Sequence, residues 1–344
     1  MNSNIDSFKR LALLGTFLWI ALLVVSSLLY GASDPKIIEA AKGERELTVW
    51  TTSDLRQVTK IVESFEKKYP FLKVKLYRTG TAPLHNKIIT EALAGKHNWD
   101  VSNSTLQTHD LFERKMVAKY KSPQTSMLLD PEMLNKEGHW TAIYVVPFVL
   151  GFNTNLVKAQ DAPKTYDDLL SSKWKDKMIS IDSEGYELLQ GLSTAWGKEK
   201  AVAFLKKLAA QDPVSRRGNS LRVELATGGE FPVLIAMASP IQRAASKGAP
   251  IDWVPLEPVP VTSMAIMLAE HAPHPNAGKL YIDFILSRDG QEILRSEQRI
   301  PVRKDVEADP PRLIKGYKRV MLHPMKASEY EEIVRLYREI FNIR

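Results

Sequence analysis

The chain has 344 residues, of which 44% are hydrophobic, and this is enough to bury the cores of two domains or lobes. It contains no cysteine, which excludes disulfides, thiolate nucleophiles and cysteine-ligated metals. The net charge is +7, but lysines and arginines are scattered among acidic residues and form no basic stripe with interleaved aromatics. We therefore expect no nucleic-acid partner and interpret the charge as a solvated surface with a mild attraction for anionic solutes.

The N-terminus has the pattern of an export signal. Lys9 and Arg10 precede a stretch, residues 11–29, that carries no charge. This pattern predicts a signal peptide over residues 1–33, with cleavage near residues 31–33. The stretch is long for a signal peptide and approaches the roughly 20 residues of a spanning helix, so an uncleaved anchor in the inner membrane is the alternative. In both cases we expect the rest of the chain to be soluble and to lie in the periplasm.

Strands and helices alternate after a polar segment, residues 34–45, that is predicted to be a linker. Strands are predicted at residues 46–50, 74–77 and 100–101. Asp54 and Gln57 resemble a capping box at the start of the first helix, and Pro83 opens the second helix. This alternation predicts an α/β fold with a largely parallel sheet flanked by helices.

Each of the first three strands is followed by a loop rich in Thr, Ser, Asn and Gly. In open α/β sheets, ligands bind at the carboxyl ends of strands, where helix N-termini offer free N–H groups. The candidate ligand-binding residues in these loops are Thr52, Ser53, Thr79, Gly80, Thr81, Asn103 and Ser104. Ordinary turn and cap chemistry is an equally good explanation of these residue types.

Two extended segments are predicted to cross between two lobes. The first is a strongly β-prone run at residues 140–154. The second is an extended connector marked by Pro255, Pro258 and Pro260, from which a strand returns over residues 261–269. Two crossings of this kind predict a two-lobed molecule with a hinge.

The crossings divide the chain into predicted domains. Lobe 1 comprises residues 46–148 plus 262–304, and lobe 2 comprises residues 149–261. Residues 305–344 are predicted to be a C-terminal helical segment that packs on the lobes. Two helices are predicted by their caps: one over residues 163–170 in lobe 2, and one over residues 328–341, opened by Ser328 with Glu331.

The order of these elements over residues 46–305 resembles the type II periplasmic binding proteins, in the branch that includes ferric-ion-binding periplasmic proteins. The resemblance is carried by residues 47–52, 151–154, 163–170, 174–175, 229–233, 248–250, 256–258 and 274–294. It implies two α/β lobes that close over a ligand like a hinged trap. It also implies that the closed form docks on the permease of an ABC transporter.

The resemblance includes one departure that bears on iron. Iron-binding members carry adjacent tyrosines shortly after the strand that corresponds to residues 231–236, and phenolate oxygens are hard donors suited to ferric ion. Residues 236–243 contain no tyrosine, and no Tyr-Tyr pair occurs in the sequence. His271 and His274 flank a proline in a loop, where an exposed turn is the favoured interpretation over metal ligands. We therefore expect no metal and no cofactor.

Three further residues are candidate ligand contacts. Tyr144 lies at the first crossing and Ser263 at the second, while Ser239 lies where the C-terminal lobe of the family addresses its ligand. A core or surface position is the alternative for Tyr144. Trp50, beside Val49 in a predicted strand, is expected to belong to the core.

A predicted helix start near Ser220 is flanked by Arg217 and Arg222. An arginine fork together with helix N–H groups would suit a carboxylate or phosphonate. We therefore include Arg217 and Ser220 among the candidate ligand contacts. The alternative for each arginine is an ordinary surface position.

The sequence contains none of four common motifs of enzymes and nucleotide-binding proteins: Gly-x-Ser-x-Gly, His-Glu-x-x-His, Gly-x-Gly-x-x-Gly and the phosphate-binding loop. The pair Asp167 and Asp168 falls at a predicted helix start, where capping explains it. We expect a monomeric extracytoplasmic solute-binding protein that captures a small polar, anionic solute for an ABC-type permease. The alternatives are a membrane-tethered sensor or adaptor on the same fold, a ferric-ion-binding protein and an exported enzyme.

Overall fold

The computed structural model describes residues 33–105 and 109–343, and within them eleven strands form a mixed sheet against which helices pack. The strands are β1 (Glu46–Thr51), β2 (Lys73–Arg78), β3 (Val101–Thr105), β4 (Thr141–Asn153), β5 (Ile179–Asp182), β6 (Val214–Arg216), β7 (Val233–Met237), β8 (Ile251–Val254), β9 (Val259–Leu268), β10 (Ile300–Pro301) and β11 (Arg319–Met321). The α-helices are α1 (Pro35–Glu44), α2 (Leu55–Lys68), α3 (Thr81–Leu93), α4 (His109–Glu113), α5 (Tyr186–Trp196), α6 (Lys198–Ala209), α7 (Asn219–Thr227), α8 (Ala238–Ser246), α9 (Pro275–Leu286), α10 (Arg288–Ser296) and α11 (Ala327–Phe341). Short 3-10 helices lie at Pro123–Met127, Pro131–Met133, Ala159–Asp161, Asp167–Leu170, Ser172–Trp174 and Pro311–Leu313.

The strand order in the sheet is β2-β1-β3-β9-β4-β7-β5-β6. The outer strands are parallel, since β1 pairs in parallel with β2 and β3, and β5 pairs in parallel with β6 and β7. The two long central strands break this pattern, because β9 runs antiparallel to both β3 and β4. The sheet is therefore parallel within each half and antiparallel at its centre.

Strand β4 connects the two halves of the sheet. Its residues Thr141–Pro147 pair with β9, whereas its residues Phe148–Phe152 pair with β7. The partner of β4 thus changes between Pro147 and Phe148, inside the β-prone run at residues 140–154. We call the half with β1–β3 lobe 1 and the half with β5–β8 lobe 2.

Both β4 and β9 are buried along their whole length. Strands covered on both faces carry near-continuous apolar side chains in place of alternating ones, which explains the unbroken hydrophobic runs of these two segments.

The predicted linker, residues 34–45, is the first element that differs from expectation. It forms helix α1, in which the Asp34 carboxylate accepts the Lys36 N–H at 2.8 Å. Ala41 is fully buried, and Ile37 and Ile38 pack on the same core. Three apolar side chains at helical spacing were enough to attach this polar segment to lobe 1.

Two helix predictions based on caps also differ. Only Asp167–Leu170 of the predicted helix 163–170 is helical, and it is a 3-10 turn. The carboxylate of Asp168 accepts the backbone N–H groups of Lys164 and Thr165, so Asp168 caps this turn. Helix α11 begins at Ala327, where Glu329 accepts the Lys326 N–H at 3.3 Å, and Ser328 with Glu331 is not the cap.

The C-terminal segment is more than a helix. Strand β11 pairs in parallel with β9, and α11 packs on α5 and α6 of lobe 2 through Ile333 and Tyr337. The segment therefore ties the central strand β9 to the helices of lobe 2.

The first helices of lobe 1 face inward largely as predicted. The Asp54 carboxylate caps α2 by accepting the N–H groups of Arg56 and Gln57, and Trp50 is buried as expected. Leu55 and Leu93, at the first position of α2 and the last of α3, are exposed.

The predicted signal peptide or anchor lies outside the described residues, except for Ser33. In residues 33–105 and 109–343, no helix is both long and apolar enough to span a membrane.

Candidate functional site

The carboxyl ends of β1, β2 and β3 form one polar wall in lobe 1. The Thr52 N–H donates to the carbonyl of Asn103 at 3.1 Å, and the Thr79 N–H donates to the carbonyl of Thr51 at 3.1 Å. The Asn103 side-chain amide donates to the Ser53 hydroxyl at 2.7 Å. The structure thus brings together predicted site residues from all three loops.

This wall contains an acceptor that no protein group uses. Asn103, Ser53 and Ser104 are all buried, and Asn103 Oδ1 has no hydrogen-bond partner among the described residues. Gly80 begins α3 without a side-chain cap, so the N–H groups of Thr81 and its neighbours are left open. A buried unpaired acceptor is costly, and a donor from a ligand would satisfy it.

Lobe 2 contributes the first turn of α8, which follows β7. Ser239 is buried in this turn, and the N-cap residue Met237 makes no side-chain cap. Arg243 follows one turn later, on the same side of the helix as Ser239. Side chains on a helix lean toward its N-terminus, so Arg243 reaches back toward the carboxyl end of the sheet.

The two arginines predicted to form a fork occupy different environments. Arg222 is 1% exposed and bonds within lobe 2, donating to the Ile235 carbonyl at 2.7 Å and to Asp182 at 3.2 Å. The side chain of Arg217 is 78% exposed and pairs with Glu184 at 3.1 Å. Ser220 is exposed on α7. Arg222 is therefore a structural residue of lobe 2, and the structure does not form a shared site from this pair.

Tyr144 and Ser263 lie on the central strands. Both residues are 2% exposed. Tyr144 on β4 pairs with Met264 on β9. The guanidinium of Arg299 stacks over the Tyr144 ring at 5.0 Å from its centroid. Its Nε donates to Gln57 Oε1 at 2.7 Å, which links the segment after α10 to α2.

Arg299 lies beside Tyr144, and the charges of Arg299 and Arg56 both act on Arg243; we call these three residues the arginine cluster. Arg56 lies 2.8 Å from Glu297, which also pairs with Lys60. Burial lowers the pKa of Arg243, and the charges of Arg299 and Arg56 lower it further. Lobe 2 provides Arg243, and lobe 1 provides the other two, so the cluster joins the lobes.

A cavity of about 30 Å³ lies between the lobes near the central strand β9. Its walls include Thr105, Glu187, Gln190, Thr262, His323 and Tyr330. Burial, with a smaller contribution from the neighbouring Asp182 and Glu184, raises the pKa of Glu187 to about 7. The cavity has room for one or two waters and none for an organic solute.

Sequence reasoning missed the arginine cluster and Glu187. Arg243 could have been found from its spacing of four residues after Ser239. Arg56 and Arg299 are far from it in sequence, and no local pattern brings the three together.

The described residues contain no group of three or more His, Asp or Glu side chains arranged to hold a metal ion. The ring of His274 bonds to Asp100 at 2.9 Å, and the ring of His271 packs tilted against that of His97 with ring centroids 4.5 Å apart. These contacts give both histidines structural partners.

The strand order and the helices packed on the sheet define a two-lobed type II periplasmic-binding-protein fold, which the chain shares with solved structures. Residues 105–321 match the family described as bacterial extracellular solute-binding protein, and the chain belongs to this family. Members of the family are binding proteins. A relative from Haemophilus influenzae, described as an uncharacterized protein, is 22% identical over 266 residues, covering 74% of this chain and 75% of its own.

Three solved structures share the fold at low sequence identity. Iron-bound HitA from Pseudomonas aeruginosa has a TM-score of 0.75 and 21% identity, with 86% of this chain and 99% of that chain covered. The substrate-binding protein of an ABC transporter from Agrobacterium tumefaciens has a TM-score of 0.74 and 18% identity, covering 86% and 94%. AfuA from Actinobacillus pleuropneumoniae, with fructose-6-phosphate bound, has a TM-score of 0.67 and 21% identity, covering 86% and 96%.

Proposed function

We propose that this protein captures a small anionic solute between its two lobes in the periplasm and delivers it to an ABC-type permease. The observation that carries the proposal is that polar walls from both lobes converge beside the central strands, with β4 passing from one lobe to the other at Pro147 and Phe148. A ligand that contacts both walls favours the closed arrangement of such a hinge through its additional contacts.

The anionic character rests on charge. Arg56 and Lys60 pair with Glu297, and the charges of Arg299, Arg56, Asp54 and Glu297 act on Arg243, so four cations are set against two carboxylates in this region. Both carboxylates are already engaged, since Asp54 caps α2 and Glu297 pairs with Arg56 and Lys60. The excess positive charge favours an anion over a neutral or cationic solute.

Proteins of similar structure bind different solutes, including iron in HitA and fructose-6-phosphate in AfuA. The first turn of α8 in this chain carries Ser239 and Pro240 and no tyrosine. This favours an organic anion or oxyanion over ferric ion.

Thermal unfolding of the mature protein against a solute panel tests the capture step. The panel contains phosphorylated sugars, phosphonates, carboxylates, amines, thiamine, neutral sugars and ferric ion. A ligand specific for the folded state stabilises it by RT ln(1 + [L]/Kd), about 2.7 kcal/mol at a hundredfold excess over Kd. We expect stabilisation by one anionic class. Stabilisation by ferric ion alone, or by a cationic or neutral solute alone, would contradict the proposal.

The state of the N-terminus decides how the protein is held in the periplasm. The mass of the protein isolated from the periplasm or the membrane measures it directly. A mass that corresponds to a chain beginning near residue 33 indicates a free binding protein, as we propose. A mass that includes residues 1–33 indicates an anchored protein and favours the sensor or adaptor alternative.

A further inference from the structure

A second cavity, of about 190 Å³, lies in lobe 1 at the end of the sheet away from the polar wall. It forms where three chain segments meet: the end of α3 with the segment that leads to β3, the segment after α4, and the segment after β9. Trp99 of its wall precedes β3, whereas Asn103 of the polar wall lies about 13 Å further along the extended chain. The cavity is therefore separate from the site between the lobes.

Backbone hydrogen bonds hold the walls of this cavity together. The Ala269 N–H donates to the carbonyl of Asp100 at 2.8 Å, and the Glu270 N–H donates to the carbonyl of Met116 at 3.0 Å. Val117 and Ala269 also form an isolated β-bridge. The walls are thus in place before any ligand arrives, and a ligand would bind without the cost of ordering a loop.

The floor of the cavity is apolar. Ile88, Trp99 and Ala269 line it, and all three are buried in one small hydrophobic cluster of lobe 1. An engineered apolar cavity of roughly 150 Å³ in another protein holds benzene. A cavity of about 190 Å³ therefore has room for one aromatic ring with a small substituent.

The remaining wall carries hydrogen-bond donors and positive charge. His97, His271, Arg114 and Lys115 line the cavity, and none of its described lining residues is acidic. The rings of His97 and His271 have centroids 4.5 Å apart, so their N–H groups serve one small region. Arg114 pairs with Asp110 at 2.7 Å, whereas Lys115 makes no ion pair with any residue that the structure describes. The charge of Lys115 is therefore left uncompensated, which favours a singly charged anion.

Trp99 adds a buried donor without a partner. The residue is 5% exposed, and no residue that the structure describes accepts a hydrogen bond from its indole N–H. Buried indole N–H groups usually have an acceptor, because lost hydration that is not replaced costs free energy. An oxygen of a ligand in the cavity would supply that acceptor.

We propose that this cavity is a second ligand site and that it binds a small aromatic carboxylate. The ring lies on the apolar floor, and the oxygens of the ligand accept hydrogen bonds from Lys115, from the two imidazoles and from the Trp99 indole. The site is independent of the solute captured between the lobes, since the polar wall contributes no residue to this cavity.

Calorimetric titration of the isolated protein with benzoate tests the chemical class of the ligand. Benzamide is the neutral comparison of the same shape, and acetate is the carboxylate without a ring. We expect benzoate to bind at least about tenfold more tightly than either, because benzamide lacks the charge and acetate lacks the apolar contact with the floor.

Two substitutions test whether benzoate occupies this cavity. Lys115→Gln removes the uncompensated charge, and His271→Phe keeps a ring against His97 but removes a donor. Each should weaken benzoate by about tenfold. Lys119→Gln is the matched control, since Lys119 is an exposed lysine of the same lobe that pairs with Glu137, and it should change the affinity by less than about twofold. Thermal midpoints show whether each variant is folded.

The polar wall provides the final comparison. Asn103→Ala should leave benzoate affinity within about twofold of wild type, while Lys115→Gln weakens it. The reverse result, in which Asn103→Ala weakens benzoate and Lys115→Gln does not, places benzoate between the lobes and overturns the second site. Absence of benzoate binding, or equal affinity for benzoate and benzamide, also overturns the proposal and leaves the proposed function untouched.

Discussion

The guanidinium of Arg222 lies 3.2 Å from the carboxylate of Asp182, and the arginine side chain is 1% exposed. Its other terminal nitrogen donates to the carbonyl of Ile235 on β7. Burial lowers the pKa of Arg222, and Asp182 opposes this effect by favouring the charged form. The pair joins β5, α7 and β7 within lobe 2.

Arg222→Met should destabilise the protein by about 3–5 kcal/mol, because it leaves the Asp182 charge buried without its partner. Chemical denaturation monitored by circular dichroism measures the change. Arg217→Met, the exposed neighbour at the same helix start, should change stability by less than about 0.5 kcal/mol. Equal effects of the two substitutions would contradict the structural role of Arg222.

Glu187 should make stability depend on pH. Its pKa is about 7 in the folded protein and near the ordinary 4.5 when unfolded, so the folded state holds the proton more tightly. Stability from this group is therefore present below pH 4.5 and is lost as pH rises toward 7, by on the order of 1–3 kcal/mol. Glu187→Gln should remove this loss. Thermal midpoints of the two proteins from pH 4.5 to 8 measure it, and parallel curves would contradict the shift.

Gly191 lets α5 approach the connector between the lobes. A Cβ at this position would lie 2.5 Å from Cβ of Pro260, which is too close for contact. Gly191→Ala should therefore destabilise the protein by about 1–3 kcal/mol. Gly43→Ala is the control, since Gly43 lies in α1 with nothing near its missing Cβ, and it should stabilise the helix by up to about 1 kcal/mol. Denaturant midpoints compare the two, and a neutral Gly191→Ala would contradict the close approach.

Asn103 should matter for binding more than Ser220 does. Asn103 Oδ1 is a buried acceptor without a protein partner, whereas Ser220 is exposed on α7. Asn103→Ala should weaken the solute that stabilises the wild type by about tenfold, since it removes one hydrogen bond to the ligand. Ser220→Ala should have an effect below twofold. Titration of both variants with that solute tests this, and the reverse order would contradict the placement of the site.

Local patterns predicted those elements that local chemistry determines. Asp54 caps α2, and the run at residues 140–154 contains β4. Helix α1 was missed because only three apolar residues attach it to lobe 1. The antiparallel centre of the sheet was also missed, since strand direction at β9 depends on a distant crossing and not on its own sequence.

The candidate site was predictable only in part, for the same physical reason. Residues at the ends of neighbouring parallel strands, such as Ser53 and Asn103, follow from the fold class. The electrostatic effect of Arg56 and Arg299 on Arg243 depends on how the two lobes and the segment after α10 are arranged. Arg217 and Arg222 show the converse, since neighbours in sequence occupy an exposed and a buried environment.

The central claim is that the two lobes close over an anionic solute. Small-angle X-ray scattering of the mature protein, with and without the anion that stabilises it in thermal unfolding, tests this claim most directly. We expect the radius of gyration to fall on binding, because ligand contacts to both lobes favour the closed state. An unchanged radius of gyration at saturating anion would contradict the claim.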